Sequence, residues 1–460
     1  MSWIFGILYS DDSQAQFRDF TPLHGSSLKV FQKENEYYLA IGGNPQTCHF
    51  DDVCTDGVFF AGVGTLLKRK NGATEICPTQ TWKALANNPS LYSSLEGHFV
   101  LLTYTNGSVT IRTDRIGLRT IFWAYHNDSV VISTRLDWIT RYCGGCSIDY
   151  GVVGSRWILA NQFSYKSLVH NIHRLGPNGE LVYKNKNIAC TQHSFEPDAC
   201  GEYSIDDIIS LIKEYAIPSQ QNERRLTLGL SGGLDSRLLL SCYLNSKFQN
   251  FQTHTFGNIE HPDAAIPKAM GEREKFLYYF YNKPIPEASE IIPELNGYLA
   301  QTNLVESAAT FLRLRNYRDL ESQNILMIDG GFGEIARRQY LNRIAYRGAS
   351  IIREKNIEAV LSHLKVNRAS IFSHELTTQM ENGSREEINF MLHSMPDVDK
   401  IGLENYMDLW AIRSRFPNFG SDEQARLDSF ILNYMPFAQP QFLNMVFFDS
   451  TSLEEKRKTF

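Results

Sequence analysis

The chain has 460 residues, 43% hydrophobic and 21% charged, with a formal net charge of −6 at neutral pH. This is the composition of a globular protein of two or three domains, and the acidic balance argues against a protein that coats nucleic acid through a basic face. Eight cysteines are too sparse for a disulfide scaffold, so reduced thiols and a cytoplasmic setting are expected, with neither nucleic acid nor membrane as partner.

Residues 1–190 read as a β-rich unit. The start, Met1-Ser2-Trp3-Ile4-Phe5-Gly6, lacks the basic and apolar regions of a signal peptide. Short apolar segments recur at Ile4–Leu8, Tyr37–Ile41, Val58–Val63, Phe99–Tyr104, Ser108–Arg112, Thr120–Ala124 and Ser129–Ser133, separated by turn residues such as Asn106-Gly107 and Asn127-Asp128. So many strands predict two stacked antiparallel sheets. Cys143-Gly144-Gly145-Cys146 has a metal-ligand spacing, but no second pair completes a zinc site, since Cys48 and Cys54 have aspartates between them.

From Ile205 the pattern turns helical, with apolar spacings of three and four, Ser204 as a fitting N-cap and Asp206-Asp207 in the first turn. Arg224 and Arg225 are expected at a solvated edge. The most informative stretch follows, Leu226-Thr227-Leu228-Gly229-Leu230-Ser231-Gly232-Gly233-Leu234-Asp235-Ser236. It reads as a buried strand passing through a Ser-Gly-Gly turn into a helix. Adjacent glycines let the backbone approach an anion, and the free N–H groups at a helix start favour negative charge. Ser231 and Ser236 add hydroxyl donors. Asp235, poorly placed beside phosphate, is explained if it holds Mg²⁺.

Phe251–Phe256 reads as the next parallel strand, and Gly257–Asp263 as the loop at its carboxyl end, where such sheets bind ligands. A third strand, Ile325–Ile328, runs into Asp329-Gly330-Gly331-Phe332-Gly333-Glu334. Arg337, Arg338, Arg343 and Arg347 do not share one helix face and read as a solvated flank. Asn356 to Phe460 is helical in pattern. Within it, the uncharged stretch Phe430–Phe448 holds Asn433, Pro436, Gln439, Pro440, Gln441 and Asn444, so it suits a buried helix pair or loop better than a membrane span.

Ser231-Gly232-Gly233-Leu234-Asp235-Ser236 resembles the pyrophosphate loop of the N-type ATP pyrophosphatases, which cleave ATP to AMP and pyrophosphate. Upstream, Gly97-His98-Phe99, Asp114-Arg115-Ile116-Gly117, Ile121-Phe122-Trp123-Ala124 and Ser133-Thr134 resemble the glutaminase half of class II amidotransferases. Lys166-Ser167-Leu168 and Ile172–Gly179 resemble the connector between that half and a synthetase half. In this order, the parts are similar to the asparagine-synthetase-like family.

The resemblance implies an α+β, Ntn-hydrolase-like sandwich over 1–190 and an α/β parallel-sheet PP-loop domain with a helical C-terminal part over 191–460. It implies ATP and Mg²⁺ as cofactors. Gly229, Ser231, Gly232, Gly233 and Ser236 would face the phosphates, the Phe256-Gly257 backbone the adenine, and Asp329-Gly330 the family's Ser-Gly pair. Asp235 and Glu334 would hold the metal, in a register shifted by one residue; without the shift, Gly333 occupies the metal slot.

Three departures bear on the activity. The nucleophile position holds Ser2 in place of cysteine, and the Asn-Gly oxyanion corner appears as Gly62-Val63-Gly64, so the glutaminase reads as degenerate and the domain as scaffold, as in β-lactam synthetase and lasso-peptide cyclases. Lys456, Arg457 and Lys458 come too early to inherit the lysine that family enzymes carry further on. The activity implied is an ATP-dependent ligase that adenylates a small-molecule or peptide carboxylate for attack by an amine, intramolecular or free, as in a macrolactam or β-lactam. A precursor peptide and its protease are the candidate partners. Two other readings stay open: a glutamine- or ammonia-dependent asparagine synthetase, and a non-catalytic nucleotide-binding subunit.

Overall fold

The computed structural model describes residues 2–9, 27–52, 57–198, 203–219, 224–246, 248–301, 311–321, 323–336 and 349–448. Cys54, the four arginines at 337, 338, 343 and 347, and the basic trio Lys456, Arg457 and Lys458 lie outside this set.

The first strands in chain order are β1 (Trp3–Leu8), β2 (Ser27–Lys33), β3 (Tyr37–Gly42), β4 (Cys48–Phe50), β5 (Val58–Lys70), β6 (Ala73–Ile76), β7 (Leu95–Thr105), β8 (Ser108–Thr113), β9 (Ile121–His126), β10 (Ser129–Ser133), β11 (His173–Leu175), β12 (Glu180–Lys184) and β13 (Asn187–Thr191). They form two antiparallel sheets, ordered β11-β9-β10-β1-β3-β2 and β13-β12-β8-β7-β5-β4, with β6 paired to β5. Alternation along β1 shows why they stack. Ile4 and Leu8 face a core shared with Val63, Val100 and Leu102 of the second sheet. Trp3, Phe5 and Ile7 face the other way, onto Trp138 and Ile139 of the helix Leu136–Cys143. The second sheet's outer face packs Phe60, Leu66 and Phe99 against Trp82 of the helix Thr79–Asn87. The result is a four-layer sandwich, helix on sheet on sheet on helix.

Two sequence motifs in this half have structural reasons. Gly97 of Gly97-His98-Phe99 has φ +107 where β7 crosses β5, and a Cβ there would lie 2.0 Å from the Thr65 carbonyl oxygen. The Asp114 carboxylate, wholly buried, accepts hydrogen bonds from the backbone N–H groups of Phe99, Ile116, Gly117, Leu118 and Arg119 at 2.7–3.2 Å, so it builds the turn that follows β8. The expected connector is more than a link. Its β11 completes the first sheet, and the strand just after it, β12, extends the second.

The second half begins with the helix Ile205–Ala216, where Ser204 and Asp207 form a reciprocal capping box. Its strands are β14 (Arg225–Gly229), β15 (Phe251–Phe256), β16 (Tyr278–Tyr281), β17 (Ile325–Ile328) and β18 (Leu432–Tyr434). All pair in parallel, in the order β16-β15-β14-β17-β18. β18 corrects the helical reading of the chain's last hundred residues. Leu432-Asn433-Tyr434 is too short to show a period of two, and burial by neighbours makes it a strand. Phe430–Phe448 is otherwise a buried one-turn helix, Pro436–Ala438, and the helix Pro440–Phe448. Among the described residues, no helix is long and apolar enough to cross a membrane. Arg225 is exposed, but Arg224, expected beside it in solvent, is half-buried.

The halves meet across buried polar groups. The Asp428 backbone carbonyl accepts from Ser2 Oγ at 3.3 Å, Asn44 Nδ2 at 3.0 Å and Thr47 Oγ1 at 3.1 Å. Its carboxylate meets His98 Nε2 at 2.9 Å, Asn433 Nδ2 at 3.1 Å and Arg119 Nε at 3.5 Å. Arg119 in turn donates from Nη2 to the Ser2 carbonyl at 2.9 Å. Removing one partner of a buried charge pair leaves the other uncompensated. Asp428→Ala is therefore expected to lower the unfolding free energy by about 3–5 kcal/mol in a urea titration, and a loss below about 1 kcal/mol would show that the pair does not anchor the halves.

Candidate functional site

The sheet order reverses at β14, whose neighbours β15 and β17 continue the chain in opposite directions, and the carboxyl ends of strands at such a reversal are where open α/β sheets place their ligand sites. The turn after β14 sits there. Leu226 and Leu228 are buried, and below the turn Thr227 Oγ1 bonds Nδ1 of the buried His254 at 2.8 Å. Burial pulls the His254 pKa down to about 3, so the ring is neutral at neutral pH. Leu230 still belongs to the ladder: its N–H donates to the His254 carbonyl at 2.9 Å, and its carbonyl accepts from Thr255 Oγ1. The chain lifts free of the sheet at Ser231.

Three consecutive N–H groups in the turn donate to side-chain oxygens: Ser231 to Ser236 Oγ at 3.1 Å, Gly232 to Asp263 Oδ1 at 3.2 Å, and Gly233 to Ser231 Oγ at 3.1 Å. The helix Leu234–Ser246 starts at the next residue, adding the positive end of its dipole. The turn is thus an array of donors at a helix start, each seated on a side-chain oxygen of the protein itself, an arrangement of the kind that elsewhere receives anions. Gly229 closes β14 in register with His254.

The turn after β17 lies directly on this array. A Cβ at Gly330 would stand 3.1 Å from the Ser236 nitrogen, and one at Gly333 would stand 2.5 Å from Cγ of Asp235. A side chain at 333 would thus force the Asp235 side chain aside, and one at 330 would press on the helix backbone at Ser236. Asp329 shapes the turn, its Oδ1 accepting from the Gly331 N–H at 2.7 Å and its own N–H donating to the Tyr434 carbonyl. Phe332 is left-handed, with φ +68, while its buried ring packs on Phe416 with centroids 4.1 Å apart. A non-glycine residue held in that region by its packing is a strained feature at the mouth of the site. The residue facing Asp235 is Gly333; Glu334 follows, half-buried, in the single turn Gly333–Ile335.

Phe256 ends β15 on the same edge of the sheet, in a group of rings: Tyr317 at 4.8 Å, His254 at 5.1 Å and Tyr281 at 5.8 Å between centroids. Gly257 is exposed beyond it. The fold thus brings Ser231–Ser236 and Asp329–Glu334 into contact, and sets Phe256-Gly257 at the end of the adjoining strand. Sequence reading missed Thr255, Phe332 and Tyr317 as parts of the site. Their signals, a threonine inside a strand and aromatics in a turn and a short helix, are also those of ordinary core residues. The Asp235 side chain packs directly on Gly333, and its carboxylate is a donor type suited to a hard cation such as Mg²⁺. Among the described residues no group of three or more His, Cys, Asp or Glu converges as an ion site, at Cys143 and Cys146 or elsewhere.

No family model matches the chain, and no curated protein matches it. Among solved structures, the chain is similar to the allosteric regulatory enzyme of purine biosynthesis, at 10% identity and a TM-score of 0.26, covering 84% of this chain and 91% of that one. It is also similar to a glutamine phosphoribosylpyrophosphate amidotransferase from B. subtilis complexed with ADP and GMP, at 12% identity and a TM-score of 0.27, covering 73% and 77%. Overlaps this slight carry no structural weight.

The Asp263 carboxylate occupies a turn amide that an incoming anion would need. Exposed charge pairs are worth about 0.2–1 kcal/mol, so Asp263→Asn should tighten binding of Mg²⁺ and inorganic pyrophosphate about two- to fivefold in calorimetry. Weaker binding by the variant would show that Asp263 organises the turn rather than competing for it.

Proposed function

We propose that this chain uses ATP to adenylate a carboxylate, releasing pyrophosphate, and passes the acyl group to an amine to form an amide. The observation that carries the reading is the donor-lined Ser231–Ser236 turn at the sheet's reversal, with the glycine turn after β17 pressed onto Asp235 and Ser236. The amides of Ser231, Gly232 and Gly233 and the hydroxyls of Ser231 and Ser236 would hold the departing pyrophosphate. Preorganised donors at a leaving group's developing charge are the largest usual source of such rate enhancement. Asp235 and Glu334 would hold Mg²⁺, which when bound neutralises part of the triphosphate charge. Phe256-Gly257 would carry the adenine, with Asp329-Gly330 lining the same site. His254, buried and neutral, stiffens the floor and moves no proton.

The amine in this reading is intramolecular or free, as in closure of a peptide macrolactam or a β-lactam. The support is at Ser2, whose hydroxyl is fully buried between Thr47 and the Asp428 carbonyl and has no access for a glutamine side chain. A second reading, a nucleotide-binding subunit without catalysis, is favoured by one observation: glycine, not a carboxylate, faces Asp235.

Pyrophosphate release measured over a panel of carboxylic acids and linear peptides separates the two. A substrate that stimulates release supports the ligase, and Asp235→Ala should then lower the rate about 10²–10³-fold, as loss of one charge-stabilising group does. Binding of ATP with no release for any acid would favour the subunit. Ser2→Ala should leave release within about twofold, and glutamine should yield no glutamate, because a sealed hydroxyl takes no part in nucleophilic catalysis. Glutamate formation that Ser2→Ala abolishes would overturn this assignment of the amine.

A further inference from the structure

One turn of π-helix, Phe416–Gly420, joins the helices Leu403–Arg415 and Ser421–Leu427 without a break, and the Ser421 N–H donates to the Phe416 carbonyl five residues back. Such turns carry an extra residue, interrupt the regular ladder and recur at functional sites. All residues of this one but Phe419 are buried, and its two sides are committed to different parts of the molecule.

One side grips the N-terminal half. Asn418 accepts from Arg174 Nη1 of β11 at 2.5 Å and donates from Nδ2 to the carbonyls of Gln162 at 2.7 Å and Ser164 at 3.2 Å. The Pro417 carbonyl accepts from Arg174 Nη2, and a Cβ at Gly117, in the turn that Asp114 builds, would stand 3.1 Å from the Pro417 Cβ. The other side holds Phe332, whose ring packs on Phe416. A Cβ at Gly420 would stand 2.8 Å from Phe332 Cζ and 3.0 Å from Leu118 Cδ2 of the sandwich. Gly420 has φ −62, a helical value open to any residue, so space and not backbone conformation calls for glycine there. The left-handed Phe332, φ +68, is a conformation that persists only where its surroundings over-determine it. Phe416 and Gly420 supply those surroundings, and the residue after Phe332 is Gly333, which packs on Asp235.

We propose that Phe416–Gly420 is a positioning device of the candidate site: held on the N-terminal half by Pro417 and Asn418, it fixes the Phe332 ring and with it the approach of Gly333 to Asp235. The sandwich then acts on the site as a support, without chemistry of its own. The effect on pyrophosphate release rests on the adenylation reading; the hold on the turn does not.

The test is amide hydrogen exchange of the full chain without ligand, read by mass spectrometry, for Gly420→Ala, in which the added methyl strikes the Phe332 ring while alanine favours the helix over glycine. Exchange across 329–336 is expected to speed up at least about fivefold, with β14 unchanged. Phe332→Gly, which drops the ring and adopts the left-handed conformation freely, should speed the same segment. In that background Gly420→Ala should add less than about twofold, since changes that act through one contact are not additive. Phe332→Gly decides the matter if Gly420→Ala does not fold. Where an acid stimulates pyrophosphate release, Gly420→Ala should lower kcat about tenfold or more with KM for that acid unchanged. Unchanged exchange in either single variant, an equal effect of Gly420→Ala in both backgrounds, or faster exchange with kcat intact would each overturn the proposal. If no acid stimulates release from the wild-type chain, the adenylation reading fails, and the exchange results alone judge the hold on the turn.

Discussion

The structure of the site depends on one close approach: the backbone of Gly330 and Gly333 against Asp235 and Ser236. Any side chain at 333 would displace the Asp235 carboxyl, and one at 330 would press on the first turn of the helix Leu234–Ser246. With both glycines in place, the loops of two neighbouring parallel strands share one surface, where the sheet reverses direction. The other features serve that contact. Asp329 folds its turn, the Phe332 ring anchors it against Phe416, and Thr255 ties the Leu230 carbonyl to the next strand.

Much of this was legible in the sequence where local chemistry fixes the conformation. Ser204 and Asp207 announce a helix start because their side chains satisfy orphan amides, and they do so here. The Ser-Gly-Gly sequence reads as a strand-to-helix turn because glycine lets the chain leave the strand, and the helix does start at Leu234, with the three turn amides taken up by side-chain oxygens. What was not legible was set by distant partners. β18 is three residues whose strand pairing comes from β17, about a hundred residues earlier. Ile172–Gly179 looked like a connector because its β11 is three residues long and takes its register from β9. Arg224 looked like surface because two adjacent arginines usually are, yet it is half-buried while Arg225 is exposed.

The register of the β17 turn illustrates the same division. The resemblance put Glu334 with Asp235 at the metal, through a register shifted by one residue; without the shift, Gly333 takes that slot. The fold sets Gly333 against the carboxyl, with Glu334 next along the chain. In the N-terminal half, by contrast, the interior is complete: an inter-sheet core, buried Asp114 caging its turn, and Asp428 reaching across to Ser2, Thr47 and His98. Those contacts make the sandwich a docking partner of the sheet.

The central claim is that the Ser231–Ser236 amides hold the phosphates of ATP. Amide hydrogen exchange, followed by mass spectrometry with and without Mg²⁺ and an α,β-methylene analogue of ATP, tests it most directly. The account predicts slowed exchange across Leu230–Ser236, with smaller slowing in Asp329–Glu334. Unchanged exchange in Leu230–Ser236 at saturating analogue, or slowing confined to other segments, would contradict it.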